Sequence, residues 1–446
     1  MGRIVMSRDG TALGLIFLLA VGAWVYQYGQ RYPGTATINW NELHQSMDGF
    51  GASSADFLDS LTPAQADFFF TPAGIGLSIL RTQIIPDLAT CNAEFREGSC
   101  SDSNGQVLNG ELGTAQLAVV RGAIVFSTPW SPPGTYKSNG SFRNGGYLLA
   151  SHYSDWAREI ATYVPMMANH GVNIYAVSVQ NEPNLTTDYG SCTYTAQDIH
   201  DFVPFLYSAL HSVGAESTKI MIAEESNWAI DLTSIAMSDP RVASQVGIIA
   251  AHGYGDKVRA FHTGVARLWQ TEHSSSLSST YDGSMTDALR WALEIHSYLA
   301  EANVNAWLWW FLTNMPRQGD GTDNSALTDI NGNYPKRAYV TGQWSKFVRP
   351  GWFRIGVAYS GPLRITAFKD PGGQSFAIVA VNANSHTVHQ TFSLNGFSTN
   401  AVTPWITSVS LSLVEQAAVP VSGKSFSYTI PALSVITFSG STLEKE

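Results

Sequence analysis

Eight short β-rich segments recur along the chain, and stretches with a helical repeat lie between them. The segments span 46–57, 76–86, 123–133, 173–183, 219–228, 246–255, 266–275 and 304–313. Strands that alternate with helices form βαβ units and a parallel sheet. Eight such units over roughly 300 residues predict an α/β fold, the (β/α)8 or TIM barrel. A doubly wound sheet usually has a Gly-rich first turn, which this sequence lacks.

The pattern changes after Arg349 and Pro350. Apolar and polar residues then alternate in segments broken by Gly, Pro and Asn, at 352–360, 363–370, 374–384, 386–394, 425–431 and 433–439. Period-two alternation without helical stretches predicts an antiparallel β-sandwich attached to the barrel. We therefore expect a barrel over 31–348 and a C-terminal sandwich over 349–446. Residues 34–45 are a candidate for an additional strand of that sandwich.

Residues 1–30 have the pattern of an export signal. Arg3 and Arg8 precede an apolar run over 12–25. That run is short for a membrane span and suits the core of a signal peptide, with a retained signal anchor as the alternative. We expect a secreted protein, extracellular or periplasmic, without stable membrane insertion after processing.

Three cysteines, Cys91, Cys100 and Cys192, would then reach an oxidising compartment. Cys91 and Cys100 close a short polar loop, so a disulfide between them is favoured, although Cys192 can pair with either. The sequence has no CxxC or Cys/His cluster that predicts a zinc site, and we expect neither a metal nor a cofactor.

The charge balance limits the partners of the chain. Its 35 acidic and 25 basic residues give a net charge of −10, and no basic stripe is present to neutralise phosphates. We expect no nucleic-acid partner, and we expect a monomer that acts on a polysaccharide.

Reacting groups of (β/α)8 enzymes lie at the carboxyl ends of the strands. Glu182 ends the fourth segment and Glu272 ends the seventh. Period-two counting places Glu182 with Ala176 on one face, places Tyr175 towards the helices, and places Glu272 on the same face as Leu268. Both carboxylates therefore project into the barrel mouth, where a pair of carboxyl groups is what glycoside hydrolysis needs.

Single acidic residues at strand ends are more often solvated or salt-bridged than catalytic. Glu224 and Glu225 on the fifth strand are interpreted as structural residues or as residues that support the site from behind its contact residues. The local sequences QNEPN and WQTEHS set Glu182 and Glu272 apart. Asn181 offers an amide group to a sugar 2-hydroxyl beside Glu182.

Several motifs together resemble glycoside hydrolase family 30 of clan A, from about Asn39 to the end of the chain. They are QNEPN, MDGFGASSADF, LSILRTQIIPD, TPWSPPGTYKSNG, HGYG, WQTEHS, AWLWWF and WSKFVRPGWFRIG. The NEP motif marks the clan, whereas WSPP-x-x-x-K-x-N-G with SKFVRPG is more specific and favours the xylan-cleaving branch. The resemblance implies a retaining mechanism in which Glu182 is the acid/base and Glu272 the nucleophile.

The resemblance also implies further residues that surround the substrate. Arg81 would keep Glu272 ionised, with a structural ion pair as its alternative. Trp130 and Trp310 resemble aromatic platforms for sugar rings. Tyr254 would hydrogen-bond the nucleophile, and His252 is either a sugar contact or a core histidine.

One departure from the family concerns specificity. Xylanases of this family that require a glucuronic acid branch have an arginine where this sequence has Thr313 and Asn314. Arg317, three residues later, is the alternative source of that cation. We therefore expect endo-cleavage of plain or arabinose-decorated β-1,4-xylan, with glucuronoxylan not obligatory. The alternatives are glucuronoxylan-specific, exo-acting xylobiohydrolase, β-1,6-glucanase or glucosylceramidase activity, and a non-catalytic carbohydrate-binding protein.

Overall fold

The computed structural model describes residues 34–55, 59–85, 109–264, 266–275, 281–314 and 324–443. The predicted export segment, Cys91, Cys100 and Arg317 lie outside these residues. Within them, every helix is too short or too polar to cross a membrane.

A closed barrel of eight parallel strands forms the first part of the fold. The described chain begins with β1 (Gly34–Ser46), which joins a second sheet, and the barrel strands follow: β2 (Gly49–Ser53), β3 (Ile79–Ile84), β4 (Ile124–Pro129), β5 (Ile174–Ser178), β6 (Lys219–Asn227), β7 (Val246–Tyr254), β8 (Arg267–Glu272) and β9 (Ala306–Trp309). Because β2 pairs with both β3 and β9, the sheet closes on itself. Each of the eight predicted segments contains one strand, and the predicted fold class is confirmed.

The helices pack outside the barrel. They are α1 (Pro63–Phe70), α2 (Asn109–Val119), α3 (Tyr153–Asn169), α4 (Ala196–Ser212), α5 (Ser234–Ser238), α6 (Pro240–Ala243), α7 (Met285–Ser297) and α8 (Lys336–Ser345). Short 3-10 turns cover 134–136, 150–152 and 231–233, and a π-helical turn over 298–302 extends α7. Capping boxes stabilise the N-termini of two helices. Thr62 and Gln65 form one at α1, and Thr195 and Asp198 form one at α4.

Side chains inside the barrel form a small apolar core, separate from the larger core under the helices. The interior core contains Ile79, Phe126, Ala176, Met221, Ile248, Ala250, Trp269, Ala306 and Leu308. Tyr175 packs against it and stacks on Trp269, whereas Leu268 lies in the helix-facing core. The alternation expected from the sequence is therefore wrong at Tyr175 and Leu268.

Irregular pairing accounts for both errors. Val125 and Phe126 of β4 pair with Ile174 and Ala176, so Tyr175 is an extra residue. Ala251 and His252 of β7 pair with Gln270 and Glu272, so Thr271 is extra on β8. One extra residue reverses the faces that follow it, and here it re-aims Glu272 into the mouth of the barrel.

The second part of the fold is a ten-stranded sheet. Its further strands are β10 (Phe353–Tyr359), β11 (Arg364–Lys369), β12 (Ser375–Asn382), β13 (Val388–Asn395), β14 (Ala401–Thr407), β15 (Val414–Glu415), β16 (Val419–Pro420), β17 (Ser425–Ile430) and β18 (Ser434–Ser441). The order is β15-β14-β18-β12-β11-β10-β1-β13-β17, with β16 beside β14. All pairs are antiparallel except β1 with β13, so β1 lies well inside the sheet.

Helix α8 joins the barrel to this sheet through buried polar contacts. Gln343 donates from Nε2 to Thr407 Oγ1 at 2.8 Å, and Thr437 Oγ1 donates to Gln343 Oε1 at 2.6 Å. Trp344, fully buried, donates from Nε1 to Thr366 Oγ1 at 3.1 Å. These bonds fix the sheet against the outside of the barrel.

Candidate active site

Glu182 and Glu272 meet at the carboxyl ends of the barrel strands. Glu182 follows β5 and Glu272 ends β8, and they are 8% and 6% exposed. One carboxylate oxygen of each, with a ring nitrogen of His252, lie within 4.8 Å of one another. Glu182 has a φ of 45°, a left-handed conformation that costs a non-glycine residue energy and is frequent at functional sites.

Glu272 is held by two donors. Arg81 donates from Nη1 to its Oε2, and the Tyr254 hydroxyl donates to its Oε1 at 3.1 Å. A donor on each of the two oxygens holds the Glu272 carboxylate in one orientation. The Tyr254 hydroxyl stays protonated, because burial and the charge of Glu272 raise its pKa.

Arg81 is fully buried on β3 and links three side chains. Besides Glu272, its Nη2 donates to Asn181 Oδ1 at 2.6 Å and lies 3.2 Å from Glu224 Oε1. Burial alone would lower the pKa of Arg81, but the charges of Glu224 and Glu272 outweigh it and raise that pKa. Asn181, itself buried, is therefore fixed by the same cation that pairs with Glu272.

Glu224, for which the sequence analysis left a structural or a supporting role open, lies behind this site and contacts Arg81 and His252. It is fully buried and accepts from Thr128 Oγ1 at 2.9 Å. Burial would raise its pKa, but the charges of Arg81 and of the nearby His252 lower it to about 2. Its place at the end of a barrel strand was the only sequence signal for this role. Its neighbour Glu225 turns away and accepts from the Leu232 amide.

His252 is fully buried among three carboxylates. Its Nδ1 lies 3.1 Å from Glu182 Oε1 and 3.7 Å from Glu272 Oε1, and its Nε2 lies 3.7 Å from Glu224 Oε1. Burial would lower the pKa of His252, but the Glu272 charge and the contacts with Glu182 and Glu224 raise it to about 9. Because the ring is covered, His252 contacts these carboxylates and is not open to a ligand in the mouth of the barrel.

Tyr189 is a contact of Glu182 that the sequence interpretation missed. It is 45% exposed, and its hydroxyl donates to Glu182 Oε2 at 3.0 Å. Burial raises the pKa of Glu182, but the contacts with His252 and Tyr189 and the Arg81 charge outweigh it, so the pKa lies below its usual value. The only sequence signal for Tyr189 was its position in the loop that follows QNEPN.

Trp130 and Trp310 form an aromatic wall beside Arg81. Their ring centroids lie 5.8 Å apart, and the Arg81 guanidinium carbon lies 4.8 Å from the Trp130 ring and 5.6 Å from the Trp310 ring. Both rings are mostly covered and pack with Ala55, Phe311 and Ala326. Trp307 and Trp309 instead belong to the helix-facing core.

By distance alone, Glu182, His252 and Glu272 are close enough to bind a metal ion. The donors do not suit one. Arg81 and Tyr254 already donate to the two oxygens of Glu272, and the Arg81 charge opposes a second cation at that carboxylate. The site is better described as a network of carboxylates neutralised by two cationic side chains.

Comparison with known proteins identifies the family. The model of the glycosyl hydrolase family 30 TIM-barrel domain matches residues 113–274. Glucuronoxylanase XynC of Bacillus subtilis (strain 168) is 30% identical over 419 residues, 90% of this chain and 90% of that protein. The family 30 subfamily 8 xylanase Xyn30A from Clostridium acetobutylicum superposes with a TM-score of 0.79 at 30% identity, over 91% of this chain and 99% of that one.

A family 30 endoxylanase from Clostridium papyrosolvens C71 superposes with a TM-score of 0.75 at 27% identity, over 91% of this chain and all of that one. Similarity at this level along nearly the whole chain confirms the family and the enzyme class that the motifs predict. This glycoside hydrolase therefore belongs to glycosyl hydrolase family 30.

Proposed function

We propose that this hydrolase cleaves the β-1,4-linked backbone of xylan internally, by a retaining double displacement. The observation that carries the mechanism is the approach of Glu182 and Glu272 oxygens to within 4.8 Å. Retaining glycosidases hold their carboxyl groups about 5–5.5 Å apart, whereas inverting enzymes leave about 6.5–9.5 Å for a water. The short separation suits direct attack by one carboxylate.

Glu272 is the nucleophile in this proposal. Arg81 and Tyr254 both donate to it, which orients the carboxylate. In the first step a Glu272 oxygen attacks the anomeric carbon, the bond to the glycosidic oxygen breaks, and a glycosyl ester forms.

Glu182 is the acid and then the base. Before the first step, a proton passes from Nδ1 of His252 to Oε1 of Glu182 across their 3.1 Å contact, and Glu182 gives it to the leaving oxygen. In the second step Glu182 takes a proton from water while the water oxygen attacks the anomeric carbon and frees Glu272. That proton then returns to His252, so each turnover restores the starting state.

The relatives support xylan as the substrate, since those compared above are a glucuronoxylanase, a xylanase and an endoxylanase. Thr313 and Asn314 stand where the family resemblance places the branch-binding arginine, and both are buried. An uncharged, covered pair offers no ion pair to a glucuronate carboxylate. We therefore infer that the glucuronic acid branch is not required, and the apolar run over 12–25 supports export to where xylan is found.

The test is a product profile of the purified protein. Unbranched xylan, arabinoxylan, glucuronoxylan and β-1,6-glucan are digested in parallel, and the anomeric form of the first products is followed by NMR. Glu272→Gln and Glu182→Gln are the matched controls, because each keeps the shape of the side chain and removes its charge.

Mixed xylo-oligomers of retained configuration from unbranched xylan, absent with Glu272→Gln, are the expected result. Products from glucuronoxylan alone would refute the branch independence. Release of disaccharide alone would refute endo action, and products from β-1,6-glucan alone would refute the substrate. Inverted products, or full activity of Glu272→Gln, would refute the mechanism.

A further inference from the structure

The loop after β4 and the loop after β5 are joined into one unit at the mouth of the barrel. Here the loop pair means residues 134–149 and 184–195. Single bridges pair Arg143 with Gly190 and Tyr147 with Thr193. Backbone hydrogen bonds add to them: Asn144 donates to Thr187 at 2.8 Å, and Ser191 donates to Phe142 at 3.2 Å.

A buried lysine closes the loop pair. Lys137, the lysine of the WSPP-x-x-x-K-x-N-G motif, is 3% exposed, and its Nζ donates to the carbonyl of Ser191 at 2.5 Å and to that of Phe142 at 3.2 Å. Burial lowers the pKa of this amine to about 8. The ammonium group of Lys137 therefore donates to the backbones of both loops, and Lys137 takes no part in the proposed reaction.

Tyr189 is the residue of the loop pair that contacts a reacting side chain of the proposed mechanism. It lies between Thr187 and Ser191, whose backbones are held by the contacts just described, and its hydroxyl reaches Glu182 Oε2 at 3.0 Å. The Oε1 atom of the same carboxylate faces His252. Two donors on opposite oxygens fix the plane of the Glu182 carboxyl group.

We propose that Tyr189 is a positioning residue for the acid/base Glu182. Tyr189 is held in place by the loop pair, whose two loops are connected by the hydrogen bonds of Lys137. The proposal rests on the proposed function, in which Glu182 protonates the leaving oxygen. It assigns to the motif lysine an indirect role: Lys137 orders the loop that carries the tyrosine. Tyr189 itself exchanges no proton with the substrate.

The substitution that tests this role is Tyr189→Phe, which keeps the ring and removes the hydroxyl. Tyr147→Phe is the matched control, since Tyr147 lies in the same loop pair and is 54% exposed. Two substrates are compared by kcat/KM, which reports the first step alone: xylohexaose, whose leaving group is a sugar, and 2,4-dinitrophenyl β-xylobioside, whose leaving group departs without an acid.

Tyr189→Phe is expected to lower kcat/KM on xylohexaose by about 10- to 100-fold, the effect of one hydrogen bond to a charged group, and to leave the dinitrophenyl substrate close to wild type. Tyr147→Phe is expected to leave both unchanged. If Tyr189 only stabilised the loops, Tyr189→Phe would lower kcat/KM equally on both substrates, and that result would overturn the proposal.

The pH profile gives a second readout. The groups that face Glu182 are His252 from β7, Arg81 from β3 and Glu272 from β8, with Glu224 behind His252, and the substitution changes none of them. In the proposed mechanism the basic limb of kcat/KM reports loss of the His252 proton, and Glu182 is ionised both before and after that loss. A residue that only orients Glu182 is therefore expected to leave this limb in place. A shift of that limb by more than about one unit would show that the Tyr189 hydroxyl acts on the pKa of His252 rather than on the orientation of Glu182, and it would overturn the proposal.

Failure of the proposed function is distinguishable from failure of this inference. If the wild-type protein cleaves neither xylan substrate, the proposed substrate is wrong, and the same pair of leaving groups is then compared on the sugar that it does cleave. If the wild type cleaves both substrates and Tyr189→Phe matches it on both, the proposed function stands and the role of Tyr189 is refuted.

Discussion

His252 is expected to stabilise the folded protein at neutral pH and to lose that effect in alkali. Its pKa rises from 6.5 in the unfolded chain to about 9 in the fold, because the Glu272 charge and the contacts with Glu182 and Glu224 outweigh burial. A raised pKa in the folded state means that the stabilisation is complete below pH 6.5 and disappears as the pH passes 9.

The magnitude follows from the shift. A change of about 2.5 pKa units corresponds to about 3 kcal/mol in the free energy of unfolding, at about 1.4 kcal/mol per unit. The variant His252→Gln removes the titrating group and keeps a polar side chain. The free energy of unfolding of the wild type minus that of the variant is therefore expected to fall by about 3 kcal/mol between pH 6.5 and 9.

Urea unfolding at half-unit steps of pH measures this difference. His296→Gln is the matched control: His296 is also buried, but burial and the charges of Arg364 and Arg354 lower its pKa to about 4. Its contribution is present above pH 6.5 and is lost as the pH falls towards 4, so its variant should follow the wild type between pH 7 and 9. If the free energies of unfolding of His252→Gln and the wild type changed in parallel with pH across that window, the electrostatic argument for His252 would be refuted.

Three further substitutions are each checked by urea unfolding at pH 7, with kcat/KM measured alongside. Arg81→Met leaves Glu224 and Glu272 without their buried cation, so the free energy of unfolding should fall by about 3–5 kcal/mol and activity should be lost; wild-type stability would contradict the network. Thr62→Ala removes the capping box of α1 and should cost about 1 kcal/mol with kcat/KM unchanged. Trp344→Ala empties a buried site between barrel and sheet and should cost about 3–5 kcal/mol, whereas a cost below about 1 kcal/mol would show that this contact is dispensable.

The barrel could be predicted from the sequence because strands buried on both faces are nearly continuous apolar segments. That signal survives local irregularity, so all eight segments contain a strand. The direction of individual side chains does not survive it. Tyr175 and Leu268 lie on the opposite side from that expected, because one extra residue in β5 and one in β8 reverse the count, and the sequence carries no mark of either.

The second sheet shows a different limit. Strand β14 (Ala401–Thr407) contains Pro404, which lacks an amide hydrogen and makes a segment resemble a loop, and it was not among the predicted segments. In the sheet, Pro404 lies opposite Phe438 of β18, and its carbonyl accepts from Gln416 on the other side. A strand with a proline is tolerated where neighbours on both sides hold the remaining backbone groups.

In the active site, the residues at strand ends could be predicted from the sequence, whereas their side-chain contacts could not. Glu182 and Glu272 were recognisable because the barrel rule and the local motifs agree. Tyr189 was not predicted, because its contact with Glu182 depends on the path of the loop after β5. For Glu224 a structural or a supporting role stayed open, because its contacts with Arg81 and His252 come from other strands. Such contacts exist only once the barrel has closed.

The position of β1 (Gly34–Ser46) between β10 and β13 has a consequence for how the protein is made. Ala36 pairs with Tyr359 and with Phe392, more than 300 residues later, so β1 has no partner until nearly all of the chain has been synthesised. Contacts of such long sequence separation form slowly, and a β-strand that waits for its partners is prone to pair with other chains. Nascent chains halted before residue 353 should therefore expose β1 and bind chaperones or one another, whereas chains released after the last strand should not.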